Sequence, residues 1–522
     1  MFSNRVNLNS STPLAGKFKL GGTLVTALIL GACSIQPKPL EKAEVADIIE
    51  ADRQKMFLGQ EAVTEPLSMY DVMARAVLYN LEHRTSRMEK ALANGELELA
   101  KFDLLPVLTT NGSYVTRNNT KASTSASILT GQPSGTFTTL EDRSRWLGGA
   151  RFSWNVLDFG VSYIQAKQQA NRVLLSEMDR RKVLMAVLQQ ARSTYWRALA
   201  AQRMGPAVER SLLDAKAMLD NLDRGMDSGA FGQPLDALKT KKGLLELISQ
   251  LEILQKGFEQ ATASLKSLIN VPLNQDISLE EWNGAHNPLP KLDTAIENLE
   301  NMAMMNSTDL HKQIYEARIF RDESRKALLR LLPGLEIGGG ANYDSNSFLL
   351  NNDWLEAEAR VTWNLMRIAS APTHFKVAKL QKQVSEQKRL AVGMAVLTRV
   401  NLSVSNYHNT LLKFSRAEAI SDVGVVIADL TAAQQNAQSI SKIASIEAQA
   451  QALRSRLAAM QAYVEAEDSY GELLISIGVS PLPAEYALMP VGVLSEIIEE
   501  KFAAWRKGDI VEADSVAFIA SF

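Results

Sequence analysis

Few side chains in this sequence are arranged for catalysis. Its five histidines are His83, His286, His311, His374 and His408. None is paired at metal-ligand spacing, and there is no His-Glu-x-x-His helix. Gly338-Gly339-Gly340 lies in an alternating strand pattern and is not followed by Gly-Lys-Ser/Thr, so it makes no phosphate loop. It reads instead as close packing or bending of a sheet. Cys33 is the only thiol, which rules out a disulfide within the chain. With 56 Lys and Arg against 58 Asp and Glu, the formal charge of -2 gives no footing for nucleic acid. The expectation is therefore no enzyme, no cofactor and no metal site. The chemistry left to explain lies at Cys33 and along the strands.

Residues 1–32 carry Arg5, Lys17 and Lys19 and no acid, and end in the apolar segment LGGTLVTALILGA. At about 13 residues that segment is too short to span a bilayer and has the pattern of a signal peptide. Leu30-Gly31-Ala32-Cys33 resembles the lipobox of bacterial lipoproteins, which implies a lipid-modified Cys33 as the mature N-terminus. Ser34, standing where an aspartate would retain such a protein, points by the same resemblance to the outer membrane. No later window offers about 18 consecutive apolar residues, so a chain that crosses a membrane must do so with strands.

Strand chemistry is clearest in RWLGGARFSWNVLDFG, residues 145–160. Trp146, Gly148, Ala150, Phe152, Trp154 and Val156 share one parity, and Arg151, Ser153 and Asn155 the other. A second copy, WLEAEARVTWNL at 354–365, sets Leu355, Ala357, Ala359, Val361 and Trp363 against Glu356, Glu358, Arg360 and Thr362. A transmembrane barrel needs an apolar face toward lipid and a polar face toward water. Arg151, Ser153, Asn155, Glu356, Glu358, Arg360 and Thr362 are thus expected to line a lumen. Trp146, Phe152, Trp154, Trp354, Val361 and Trp363 are expected to face lipid or form interfacial girdles. Weaker partner strands begin near Pro106 and Gly334, completing hairpins at 106–156 and 334–365.

Both hairpins belong to a tandem repeat. Trp154-Asn155 matches Trp363-Asn364, Leu104-Leu105-Pro106 matches Leu331-Leu332-Pro333, and LINVPL at 268–273 is echoed by ISIGVSPL at 475–482. Apolar residues recurring at three or four, such as Leu184, Leu188, Ala191 and Tyr195, mark long helices. One from about Val161 to Leu222 would be about 93 Å long, and one from about Thr373 to Gln438 about 99 Å. Shorter helices at 67–100, 235–270, 292–329 and 446–477 would stack end to end beside them. Gly205-Pro206 predicts a kink or break in the first long helix. The division that follows is a signal peptide (1–32), a lipidated connector (33–66), a first repeat (67–270, helical hairpin 161–270), an irregular segment (271–291), a second repeat (292–477, helical hairpin 373–477) and an irregular tail (478–522).

In order and duplicated, the lipobox cysteine, the WNVLDFG run at Trp154 to Gly160, a very long helix, a Gly-rich turn and a return helix ending in LINVPL resemble the TolC-like outer-membrane efflux proteins. The resemblance covers roughly residues 67–482. It implies a mainly α fold with a membrane β-barrel: a homotrimer whose 12-stranded barrel, four strands per protomer, stands on a long helical periplasmic tunnel girdled by 271–291 and 478–522. It implies passive conduction of small molecules, delivered by a periplasmic adaptor protein and an inner-membrane transporter. Arg224, Gly225, Gly229, Gly232, Gln233, Pro234 and Leu235 fall at the helical tip where the family docks its adaptor, and Asp227, Asp236 and Glu447 are tip acids. Met366-Arg367-Ile368-Ala369 departs from the family's second Asp-Phe-Gly, and residues 439–445 hold neither glycine nor aspartate, so a family gate ring has no match there. Two other functions use the same residues: an outer-membrane channel for type I polypeptide secretion, and a lipid-anchored coiled-coil envelope scaffold. The scaffold leaves the amphipathic hairpins without a purpose.

Overall fold

A computed structural model describes residues 37–227, 234–280, 288–437, 442–483, 485–508 and 510. The chain separates into a unit ending at Gly59 and a unit from Gln60 onward. The first contains α1 (Lys42–Met56), which has no buried side chain and carries Arg53 and Lys55 in its last turn, where cations suit the helix dipole.

The second unit holds both repeats. The first runs through α2 (Met69–Tyr79), α3 (Leu81–Phe102), β1 (Val107–Thr116), the short pair β2 (Ala122–Ser123) and β3 (Thr138–Thr139), β4 (Ser144–Asn155), α4 (Val156–Asp227) and α5 (Pro234–Leu268). The second runs through α6 (Ile296–Asn306), α7 (Thr308–Leu329), β5 (Gly334–Asp344), β6 (Asp353–Thr362), α8 (Leu365–Ile368), α9 (Ala371–Asn436) and α10 (Lys442–Ile477), after which comes α11 (Val491–Arg506). α4 packs along α2, α3 and α5, and α9 along α6, α7 and α10. Each long helix thus lies beside the three shorter ones of its own repeat, and α4 also packs on α7 and α10 of the other.

Several local expectations are corrected. The single helices anticipated at 67–100 and 292–329 are each broken, at Asn80 (ψ 128°) and Ser307 (ψ 114°). Asn80 Oδ1 accepts from the His83 N–H at 3.1 Å and Ser307 Oγ from the Leu310 N–H at 3.2 Å, so each break restarts a helix with a side-chain cap. Asn80 precedes Pro106 by as many residues as Ser307 precedes Pro333, and the break is therefore part of the repeat. α4 starts earlier than its periodicity implied, because Asn155 Oδ1 accepts from the N–H groups of Leu157 (2.9 Å) and Asp158 (3.2 Å). Asn364 caps α8 in the same way, from the Met366 N–H at 3.1 Å. The duplicated Trp-Asn pair is a strand-to-helix switch.

α4 then passes through Pro206 without interruption. A proline inside a helix costs about 3 kcal/mol, but Val208 and Leu212 just beyond it are buried among Leu247, Leu251 and Leu457. Two such side chains recover that amount by burial, at about 1.5–3 kcal/mol each. The tail expected to be irregular contains α11, whose Leu494, Ile498, Phe502 and Trp505 are buried in the main core with α2, the middle of α4, α6 and α10. Residues 278–280 pair with Leu67 (Leu67 N–H to Ser278 O, 3.0 Å; Glu280 N–H to Leu67 O, 2.9 Å), while the Gln202 amide makes two 2.9 Å bonds to the Leu279 backbone. The core therefore sits where the short helices meet the middle of the long ones.

Candidate channel wall and equatorial anchor

β1, β4, β5 and β6 form one antiparallel sheet in that order. In its register Arg151 faces Gly340 and Gly340 faces Glu356; Ser153 faces Gly338 and Gly338 faces Glu358; Asn155 faces Glu336 and Glu336 faces Arg360. Directly paired residues point to the same side of a sheet, so these residues, with Thr362, share one polar face. The opposite face carries Trp146, Phe152, Trp154, Ile337, Leu355 and Val361, of which Leu355 is 85% and Val361 69% exposed. Trp354 departs from expectation: it pairs with Asn342 and stands on the polar face. Trp363 lies just beyond β6, where its Nε1 donates to the Leu331 carbonyl at 3.0 Å. Asn155 commits its side chain to the α4 cap rather than to the open face.

Arg151 reaches across β5 to β6. Its Nη2 lies 2.6 Å from Glu356 Oε1 and its Nη1 2.8 Å from Glu358 Oε1. Adjacent strands are about 4.8 Å apart, so the bridge spans two spacings and the strand between them must be bare. Gly338 and Gly340 make it bare. A Cβ at Gly338 would lie 3.2 Å from Glu358 Cγ and 3.2 Å from the Phe152 carbonyl, and one at Gly340 3.3 Å from the Ala150 carbonyl. The guanidinium and both carboxylates therefore lie flat along the wall. Nearby, Ser153 Oγ donates to Glu336 Oε1 at 2.8 Å, and Arg360 Nη2 sits 3.4 Å from Glu358 Oε2. At the loop end, buried Asn346 accepts from the Asp142 N–H (3.0 Å) and donates to the Leu140 carbonyl (2.8 Å), tying the two hairpin loops together.

Sequence reasoning missed two buried polar clusters in the core. Glu467 of α10 is fully buried and accepts from Arg192 Nη2 of α4 (3.2 Å), Tyr463 Oη (3.3 Å) and Arg506 of α11. Arg192 also lies 5.1 Å from the Phe502 ring centre. Burial, with the Glu467 charge next in size, raises the Tyr463 hydroxyl pKa. In the second cluster, His83 Nδ1 lies 2.8 Å from the Val77 carbonyl, which fixes its proton there, and Nε2 accepts from Tyr486 Oη at 3.1 Å. Burial pushes the His83 pKa down to about 4 against the pull of that carbonyl, and the nearby Arg180 pushes the same way. Glu177, which burial would raise, is held below its ordinary value by Arg180 (2.6 Å) and Lys90 (2.9 Å). The one signal for Glu467 was its place between Tyr463 and Tyr470 on an otherwise apolar stripe.

At the far end of the helices, Arg224, Gly225 and Asp227 close α4, where Arg224 donates to Asn221 Oδ1 at 2.8 Å, and exposed Leu235 opens α5. Asp223 and Lys241 join the two helices at 2.8 Å. Exposed Glu447 belongs to α10 and lines a small depression with Met218 and Arg454. Cys33, Gly229, Gly232 and Gln233 lie outside the described residues, as do the side chains of Pro234 and Asp236.

No protein-family model and no curated protein matches the chain. Solved structures do. The outer-membrane channel OprN superposes with a TM-score of 0.60 at 15% identity, covering 78% of this chain and 89% of its own. The open state of the Neisseria gonorrhoeae MtrE outer membrane channel gives 0.60 at 15% identity over 78% and 88%. The Campylobacter jejuni CmeC outer membrane channel gives 0.59 at 13% over 85% and 95%. The chain has the fold of the TolC-like outer-membrane channels. Among the described residues, β1 and β6 each pair on one side only, which leaves a sheet with two open edges.

Proposed function

We propose that the protein is the outer-membrane channel of a tripartite efflux system, a homotrimer that passively conducts small molecules handed on by a periplasmic adaptor and an inner-membrane transporter. The observation that carries this reading is the two-faced, open-edged sheet continuous with four helical columns. Unpaired strand edges are forbidden in hydrocarbon, so the sheet must close with other copies of itself. Two copies would give 8 strands, an interior just wide enough for side chains, whereas three give 12 and leave a lumen. Lipid on Cys33 would add a second hold on the outer membrane, and the tip from Arg224 to Leu235 would meet the adaptor. Purified protein in planar bilayers is expected to produce discrete conductance steps. Electrical silence from well-folded trimers would reject the channel and favour an envelope scaffold.

A further inference from the structure

Within one copy, a groove of about 450 Å³ runs between α7 and α9. Its floor is apolar. Ile314, Ala317 and Leu328 of α7 and Ala378 of α9 line it, and the short alanine side chains leave the seam hollow. Ser324 Oγ donates to Gln381 Oε1 at 3.0 Å, which ties the two helices together along the groove. Leu328 belongs to the last turn of α7, so the groove reaches almost to the sheet.

The rim is basic. Arg318, Arg321 and Arg325 of α7 and Lys382 and Arg389 of α9 line it, with Glu386 as the single lining acid. Arg325 is matched by Asp322 at 3.3 Å and Lys382 by Glu386 at 3.8 Å. Arg318, Arg321 and Arg389 are exposed and form no ion pair with any described residue, although Arg318 lies 5.3 Å from the Tyr315 ring centre. Elsewhere on α7 the cations find acids: Lys312 pairs with Asp179 at 2.5 Å and Lys326 with Glu323 at 2.7 Å. Three arginines gathered around one hollow repel one another, and an anion between them relieves that repulsion. A guanidinium presents a planar fork that suits phosphate or carboxylate oxygens. The floor suits a hydrocarbon chain and offers nothing to a bare ion.

We propose that this groove binds an amphipathic anion, with a phosphate or carboxylate head held by Arg321 and Arg389 and an acyl chain along the floor. Two sources supply that chemistry, an anionic phospholipid of the outer membrane and a dissolved fatty acid or alkyl phosphate. The site lies inside one copy, so it stands whether or not the trimeric channel reading does.

The full-length protein in dodecyl maltoside tests it, with octyl phosphate as the dissolved probe and phosphatidylglycerol as the lipid. Arg321→Gln combined with Arg389→Gln removes two exposed charges that hold no ion pair, so the fold is retained. Octyl phosphate, followed by phosphorus NMR line broadening, should bind the native protein about tenfold more tightly than the double variant, and inorganic phosphate should bind the native protein about tenfold more weakly than octyl phosphate. In native mass spectrometry of delipidated protein exposed to phosphatidylglycerol, the lipid should stay on the native protein and be lost from the variant. Arginine-dependent retention of phosphatidylglycerol without octyl phosphate binding supports the site with the membrane as its source, and the reverse supports it with solution as its source. Equal binding of both probes by native and variant protein overturns the proposal. Inorganic phosphate bound as tightly as octyl phosphate overturns it too, because the apolar floor would then play no part.

Discussion

Replacing Arg151 by glutamine tests the polar wall most directly, since it strands Glu356 and Glu358 without altering the backbone. The cost in stability is small: the partners are 44%, 39% and 35% exposed, and screened pairs of that kind are worth at most about 1 kcal/mol. The effect on ions is larger. In the proposed trimer, twelve strands about 4.8 Å apart and tilted about 40° would close at a radius of about 12 Å, which would put a released carboxylate about 8 Å from the axis. Each attracts a monovalent cation there by about 0.5 kcal/mol in water, and three copies with screening at 0.1 M leave about 0.7 kcal/mol. Anions are repelled by as much, so cation over anion permeability should rise about tenfold, read as a shift of reversal potential across a salt gradient. Gly338→Val should move it in the same direction, because the added methyls occupy the path by which Glu358 reaches Arg151. An unchanged reversal potential in Arg151→Gln channels that still conduct would refute the placement of this bridge on the lumen wall.

Other outcomes follow from the core and the N-terminus. A methyl at Gly471 would fall 1.8 Å from Gln189 Oε1 and 2.3 Å from Arg192 Nη1, so Gly471→Ala should displace the guanidinium that Glu467 depends on and cost about 3 kcal/mol, visible as a lower melting temperature. His83, with a folded pKa of about 4 against an ordinary 6.5, is protonated first in the unfolded chain. Its contribution is complete above pH 6.5 and is lost as pH falls toward 4, at about 1.4 kcal/mol per pH unit and about 3 kcal/mol in all. Denaturation curves between pH 7 and 4.5 should be steeper in pH for the native protein than for His83→Gln; equal slopes would contradict the buried neutral imidazole. Cys33→Ser should abolish lipid on the mature N-terminus by mass spectrometry while membrane association persists, because the strands remain inserted.

Much was legible in the sequence because it depends on local periodicity. Side chains alternate across a strand whatever it pairs with, so Arg151 and Ser153 had to oppose Phe152 and Trp154. Trp354 shares the parity of Glu356, and grouping it with the other tryptophans by residue type set that alternation aside. The duplicated Trp-Asn and Leu-Leu-Pro landmarks likewise survive any packing. Asn80 and Ser307 were visible as capping residues, but a cap inside a run of helix formers is chosen only when the preceding segment gains more by turning into a core, as α2 does by burying Val72, Met73 and Val77.

Contacts between elements distant in the chain were a matter for the tertiary structure alone. Arg192, Glu467 and Arg506 come from α4, α10 and α11, and nothing in the residue type distinguishes a glutamate that will be sealed between two arginines from one left in water. The same holds at the wall. Arg151 meets Glu356 and Glu358 because the register aligns two glycines of β5 beneath them, and a register is set by which strands pair and how they are offset, whereas composition and period describe each strand separately.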